Sequence, residues 1–126
     1  MINAEVTDYI LSMSKLTKID ILKYAQGVDI YKNIPLTLLN DHVVRLSVMT
    51  EPFYWHYHPN SDEVFIAMEG ILCIELEDRT VELNVGQLFT IPANVRHCTR
   101  PKGSRSVNLI VELADIETIK IERTSQ

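Results

Sequence analysis

Two short stretches carry the residue types that do chemistry. One reads Trp55-His56-Tyr57-His58-Pro59-Asn60-Ser61-Asp62-Glu63 and the other Pro92-Ala93-Asn94-Val95-Arg96-His97. Together they hold three of the chain's four histidines. His56 and His58 differ by two, so on a strand both side chains leave the same face, about 6.6 Å apart at the backbone. Their imidazoles can then converge on one ion. Glu63 follows a turn containing Pro59, Asn60 and Ser61, which lets it open the next strand and approach the same point. His97 begins a later strand that alternation can direct to the same interior. Three neutral imidazoles and one carboxylate suit a divalent transition metal: iron, manganese, nickel, cobalt, copper or zinc. Four protein ligands leave one or two positions for water or substrate on a five- or six-coordinate ion, the mark of a catalytic centre rather than a closed structural one. His42 lies outside this constellation and reads as an ordinary histidine. Cys73 and Cys98 form no CxxC pair and read as small hydrophobes. Cys98 adjoins His97 and so points to the other face of a strand.

The elements that must position these residues are short. From about residue 28, runs of β-branched and aromatic residues alternate with turn signals. The expected strands are Val43–Thr50, Phe53–His58, Val64–Met68, Ile71–Glu77, Thr80–Leu83, Gln87–Ile91, Val95–Thr99 and Val107–Leu113, with a last one over Ile116–Ile121. Glu69-Gly70, Asn84-Val85-Gly86 and Pro92-Ala93-Asn94 supply turns whose residues tolerate φ > 0. Strands of this length and spacing predict an all-β chain, an antiparallel sandwich or closed barrel. Residues 1–27 are the least strand-like. Thr17–Gly27 fits a short helix with Thr17 as N-cap, Gly27 as terminator and Leu16, Ile19, Leu22 and Lys23 on one face, and it also permits a strand. The chain therefore divides into an N-terminal segment, 1–27, and a barrel, 28–126.

Bulk composition narrows the function. A chain of 126 residues with 46% hydrophobic and 23% charged residues is one domain with material for one core. A net charge of −5 argues against a nucleic-acid groove. No apolar run approaches the roughly 20 residues that span a bilayer, so no membrane partner is expected. The first residues lack the basic start and apolar stretch of a signal peptide, and a cytoplasmic location is expected.

The two stretches resemble the paired motifs of the cupin family. In the first, His56-x-His58 is followed by four residues, Glu63, six residues and Gly70; the motif's leading glycine falls at Thr50. In the second, Gly86, Pro92 and His97 match in spacing, while Asn94 replaces a glycine and Pro101 stands where an asparagine belongs. The resemblance implies a cupin double-stranded β-helix, or jelly-roll barrel, with metal ligands carried over to His56, His58, Glu63 and His97. It is nearest to small metal-binding cupins loosely described as mannose-6-phosphate-isomerase-like.

With His56 and His58 inward, alternation places Tyr54, Phe65, Ala67 and Thr99 along the pocket. Phe53, Trp55 and Tyr57 then form an outward apolar row. Such a row needs cover from the N-terminal segment or another subunit, which predicts a homodimer. Arg96, Arg100, Lys102 and Arg105 are a basic cluster in an acidic chain. Arg96 and Arg100 flank His97 and read either as recognition of a carboxylate or phosphate, or as a solvated loop. The expected function is a metal-dependent reaction on a small, anionic or sugar-like molecule, of oxygenase or isomerase type. The alternative is a metal-bearing cupin that binds or senses its ligand without turnover.

Overall fold

The computed structural model describes residues 15–123. Ten strands build two antiparallel five-stranded sheets packed face to face. The strands are β1 (Lys32–Leu39), β2 (His42–Met49), β3 (His56–Tyr57), β4 (Glu63–Glu69), β5 (Leu72–Leu76), β6 (Thr80–Leu83), β7 (Leu88–Ile91), β8 (His97–Pro101), β9 (Ser106–Leu113) and β10 (Ile119–Lys120). One sheet runs β1-β2-β9-β4-β7 and the other β10-β3-β8-β5-β6. This is the antiparallel sandwich that the strand pattern implies, in the jelly-roll form that the resemblance implies. No helix among the described residues is long and apolar enough to cross a membrane.

The alternation of β9 shows why both sheet faces are used. Asn108, Ile110 and Glu112 turn inward, while Val107 and Leu109 turn outward. The inner core gathers Met49, Phe65, Ala67, Ile74, Ile91 and Ile110 between the sheets. A second core lies on the outer face, where Leu46, Val48 and Val107 are fully buried. Its cover is the N-terminal segment, through Ala25, Ile19, Ile21 and Tyr24.

That segment differs from both forms expected for it. It is a short 3-10 helix over Ile21–Ala25, preceded by Asp20 with no side-chain cap bond. Thr17 does not cap it. Leu16 and Leu22 are exposed rather than facing the core. Its three-residue turn stacks Ile21 and Tyr24 on one side, against the outer core. Gly27 does stand in the left-handed region, at φ 69°.

Three strand assignments also shift. β1 is absent from the expected strands; it carries Pro35 beside a register irregularity. Proline is tolerated there because β1 is a sheet edge and its missing N–H removes no ladder bond. The expected strand Phe53–His58 contracts to His56–Tyr57, and Ile116–Ile121 to Ile119–Lys120. The outward row of Phe53, Trp55 and Tyr57 therefore does not form as one face. Phe53 turns to the interior core, Trp55 lies under the Arg123 guanidinium at 3.5 Å, and Tyr57 faces Arg96 at 5.8 Å. The N-terminal segment covers the opposite sheet.

Gly70 and Arg105 join the pieces. Gly70 has φ 72°, and a Cβ there would collide with the Arg105 carbonyl oxygen. Arg105 grips Glu69 with two donors, Nε to Oε2 at 2.9 Å and Nη2 to Oε1 at 3.0 Å. Its Nη1 donates to the carbonyls of Ala25 at 2.8 Å and Val28 at 2.6 Å. Arg105 thus ties the N-terminal segment to the barrel. Arg105→Ala is expected to lower stability by about 2 kcal/mol, the range for charged hydrogen bonds. It should also speed protease cleavage near Ala25. Denaturant unfolding and limited proteolysis check both, and an unchanged midpoint would contradict the role.

Candidate metal centre

His56 opens β3, Glu63 opens β4 and His97 opens β8, while His58 follows β3 directly. His56 and His97 face each other in the β3–β8 register, with ring centroids 4.2 Å apart. The turn after β7 holds the two motifs together. Asn94, at φ 71°, donates its backbone N–H to the His58 carbonyl at 2.9 Å. This is the left-handed position where asparagine stands in for glycine. Asp62 Oδ1 accepts from the Ala93 N–H at 2.9 Å. Potential ligand atoms of His56, His58, Glu63 and His97 all lie within 4.8 Å of one another. All four residues are buried.

The outer nitrogen of each ring is committed to the main chain. Nδ1 of His56, His58 and His97 lies 2.6, 2.9 and 2.9 Å from the carbonyls of Tyr54, Glu117 and Val95. A carbonyl only accepts, so Nδ1 carries the proton and Nε2 presents its lone pair inward. Nε2 of His97 and of His58 sit 3.2 and 3.3 Å from Glu63 Oε1. The His58 contact is close enough for charge pairing but wrongly directed for a hydrogen bond, which leaves Nε2 of His58 buried and without a hydrogen-bond partner among the described residues. Acceptors facing acceptors repel unless a proton or a metal cation stands among them. A divalent transition metal meets that need for all four, and the donor set fits such an ion.

Protonation follows the same geometry. Burial, helped by His97, lowers His56 to about 4, so it is neutral at physiological pH. Burial would lower His58, but Glu63 beside it outweighs that and raises it. Burial would raise Glu63, yet its contacts with His58 and His97 hold it well below the usual carboxylate range. Glu112 on β9 pairs with Glu63 in register, and burial together with Glu63 pushes it up to about 9. Arg45 Nε donates to Glu112 Oε2 at 3.2 Å.

A cavity of about 110 Å³ opens beside the four residues. Phe65 and Thr99 line it, whereas Ala67 is 1% exposed within the core and does not. Tyr54 is a correction: it is 63% exposed, with Lys120 over its ring, and points away. Because the chain is not a continuous strand from Phe53 to His56, the alternation loses phase. Phe53 takes the inward place, its ring edge-on to His56 at 4.9 Å. Arg96 and Arg100 also lie outside the cavity lining. Arg96 sits over Tyr57, and Arg100 pairs with Glu75 at 3.7 Å. Lys102 pairs with Glu82 and Arg105 with Glu69, so acidic neighbours across the sheets neutralise most of the cluster. The Cys98 thiol donates to Glu75 at 3.0 Å, away from the four residues, and burial with Glu75 pushes it up to about 12. Glu112 was missed from sequence. Its signal was a lone acid in phase with Asn108 and Ile110 on an apolar strand.

Residues 42–111 match the family model of the cupin domain. A Bacillus subtilis (strain 168) protein, called uncharacterized protein YdbB, is 43% identical over 93 residues, 73% of this chain and 81% of that protein. Acireductone dioxygenase of the same organism is 35% identical over 72 residues, spanning 53% of this chain and 40% of the dioxygenase. A solved cupin-2 domain containing protein from Shewanella frigidimarina NCIMB 400 is 31% identical and superposes with a TM-score of 0.67, covering 72% of this chain and 88% of that one.

The protonation pattern has a consequence for the metal-free protein. Folded Glu112 keeps its proton up to about 9, whereas unfolded it releases it near 4.5. The folded state then binds more protons across that interval, so stability falls as pH rises towards 9. The raised His58 acts in the same direction above 6.5. The lowered Glu63 and His56 act oppositely, their contributions being lost on acidification below 4.5 and between 6.5 and about 4. The Tm of the metal-free protein, followed by circular dichroism, is expected to drop between pH 7 and pH 9. Glu112→Gln, which mimics the protonated acid, should flatten that drop. A wild-type Tm that does not fall would contradict the pairing.

Proposed function

The chain belongs to the cupin domain family, and from that premise we propose that His56, His58, Glu63 and His97 hold one divalent transition metal at which a small molecule is transformed. The observation that carries this is the convergence of three imidazole Nε2 atoms and one carboxylate in a buried pocket beside a cavity. The ion is iron, manganese, nickel, cobalt, copper or zinc. When bound it supplies Lewis acidity or a site for dioxygen or water. The chain's own residues do the rest. The backbone carbonyls aim the imidazoles, Phe53 and Phe65 keep water from the inner wall, and Glu112 holds a proton next to Glu63. Oxygenation or isomerisation is the reaction type proposed. The likeness to acireductone dioxygenase over part of that protein supports the former. Tyr31 and Phe53, whose rings stack 6.5 Å apart, give the cavity an aromatic wall for that substrate.

We also propose that two copies associate. Ile30, Tyr31 and Tyr54 are exposed apolar residues, 69%, 40% and 63% exposed respectively, and Tyr31 and Tyr54 share one surface hollow.

Protein purified without chelator is expected to carry about one metal ion per chain, as a site with four protein ligands should. His56→Ala and His97→Ala should each lower the retained metal by roughly tenfold or more. Elemental analysis reads both. Iron directs the search to oxygenation, and zinc or manganese to isomerisation. A folded wild-type protein that takes up none of these metals would refute the proposal. Light scattering on a sizing column should give about twice the 14.5 kDa chain mass. A species of chain mass at every concentration would remove the dimer.

A further inference from the structure

The three rings are not aimed by equivalent carbonyls. His56 and His97 each donate from Nδ1 to a carbonyl two residues earlier, of Tyr54 and Val95, so adjacent backbone sets their direction. His58 instead donates to the Glu117 carbonyl, 59 residues further along the chain. Thr118 Oγ1 lies 3.2 Å from the same Nδ1, and Thr118 also lines the cavity. His58 is therefore aimed only while the segment 115–121 lies against it. Little apolar packing holds that segment. Asp115, Glu117, Thr118, Ile119 and Lys120 are exposed. β10 is a two-residue sheet edge, paired among the described residues with β3 alone, and the sheet is least firm there. The fastening is mostly polar. Asn60 grips the segment with two bonds: Nδ2 donates to the Asp115 carbonyl at 3.0 Å, and Oδ1 accepts from the Glu117 N–H at 2.8 Å. The Ile121 N–H donates to the Trp55 carbonyl at 2.9 Å. A segment with few buried contacts and exposed main-chain bonds opens locally at low cost.

Resting on the metal-centre reading above, we propose that the segment 115–121 is a latch coupled to metal binding, and that Asn60 is the positioning residue that holds it closed. In the closed latch the Glu117 carbonyl fixes which nitrogen of His58 carries the proton and where the ring points, as an outer partner of a metal-binding histidine does. When the latch opens, His58 loses that partner while His56 and His97 keep theirs. The closed form then binds a metal more tightly than the open one. Coupling between two equilibria is reciprocal, so a bound metal must hold the latch shut by the same factor. Both side-chain bonds of Asn60 run to the segment, so its effect on the ion passes through His58. Asn60 is exposed, and truncating it leaves no cavity in either core.

Titration of the full-length chain with cobalt(II), followed by its visible absorption, tests the latch. Asn60→Ala is expected to weaken cobalt binding roughly tenfold or more, the usual effect of losing a group that orients a ligand. In a His58→Ala background the same substitution should change the affinity by less than about twofold, because two residues acting through one contact are not additive. A merely structural role for Asn60 would give equal losses in both backgrounds. Hydrogen exchange on the wild type supplies a readout that needs no variant. Cobalt is expected to slow exchange of the Glu117 and Ile121 amides by roughly tenfold or more, the same factor read from the other side. The Lys102 amide, bonded to the Ile71 carbonyl in the β8–β9 loop, should be unchanged. A wild type that takes up cobalt while Asn60→Ala binds it equally well overturns the latch and leaves the metal centre standing. So do equal losses in both backgrounds, or Glu117 and Ile121 amides that cobalt does not slow. Should Asn60→Ala or His58→Ala not fold, the exchange measurement decides alone. A folded wild type that takes up no cobalt overturns the latch and the metal centre together.

Discussion

Three main-chain carbonyls govern this structure. By accepting from Nδ1 of His56, His58 and His97, they turn each ring so that Nε2 faces one buried point. Each carbonyl belongs to extended or turn backbone near a β3, β8 or β10 terminus, so the aim of the rings is as firm as the sheet itself. The result is a pocket whose inward atoms are nearly all acceptors. Such an arrangement is electrostatically unfavourable until a cation enters it. Protons meet part of the need in the metal-free chain, which is why the titrating groups are displaced in opposite directions: Glu63 down, Glu112 up, His56 down and His58 up.

The sheets supply the rigidity this requires. β2 and β9 pair along their whole length, from His42 with Leu113 to Met49 with Ser106. Both faces of that ladder are buried, one against the cavity and inner core and the other beneath the N-terminal segment. A one-residue slip would exchange the two faces and place Glu112 among the outer apolar residues. Arg105 and Gly70 guard against this at one end by joining the β4–β5 turn, the start of β9 and the N-terminal segment. Glu112 and the four converging residues therefore depend on outer packing that touches none of them.

Much of the site was legible in the chain because its grammar is local. His-x-His on extended backbone, a turn, and then Glu63 occupy eight consecutive positions, and the Asn94 turn precedes His97 by three. The same local rule misled at Tyr54, where the backbone between Phe53 and His56 leaves the strand and alternation loses its phase. It also misled for the basic cluster. Arg100, Lys102 and Arg105 are neighbours in sequence but meet Glu75, Glu82 and Glu69 from other strands. β1 escaped notice because Pro35 reads as a break, whereas at a sheet edge it removes no needed donor.

The sequence by itself determined the all-β architecture, the two motif turns and the identity of the four converging residues. These follow from side-chain alternation, turn chemistry and donor type, all properties of adjacent residues. Only the tertiary structure decided what shares the pocket with them. Glu112, Asn33 and Ser47 come from strands distant in the chain, and Tyr54 and Ala67 are withdrawn from the cavity. The physical reason is that a cavity wall is set by which strands pair and in what register. That is a global balance of buried area and hydrogen bonds, and short-range periodicity does not encode it.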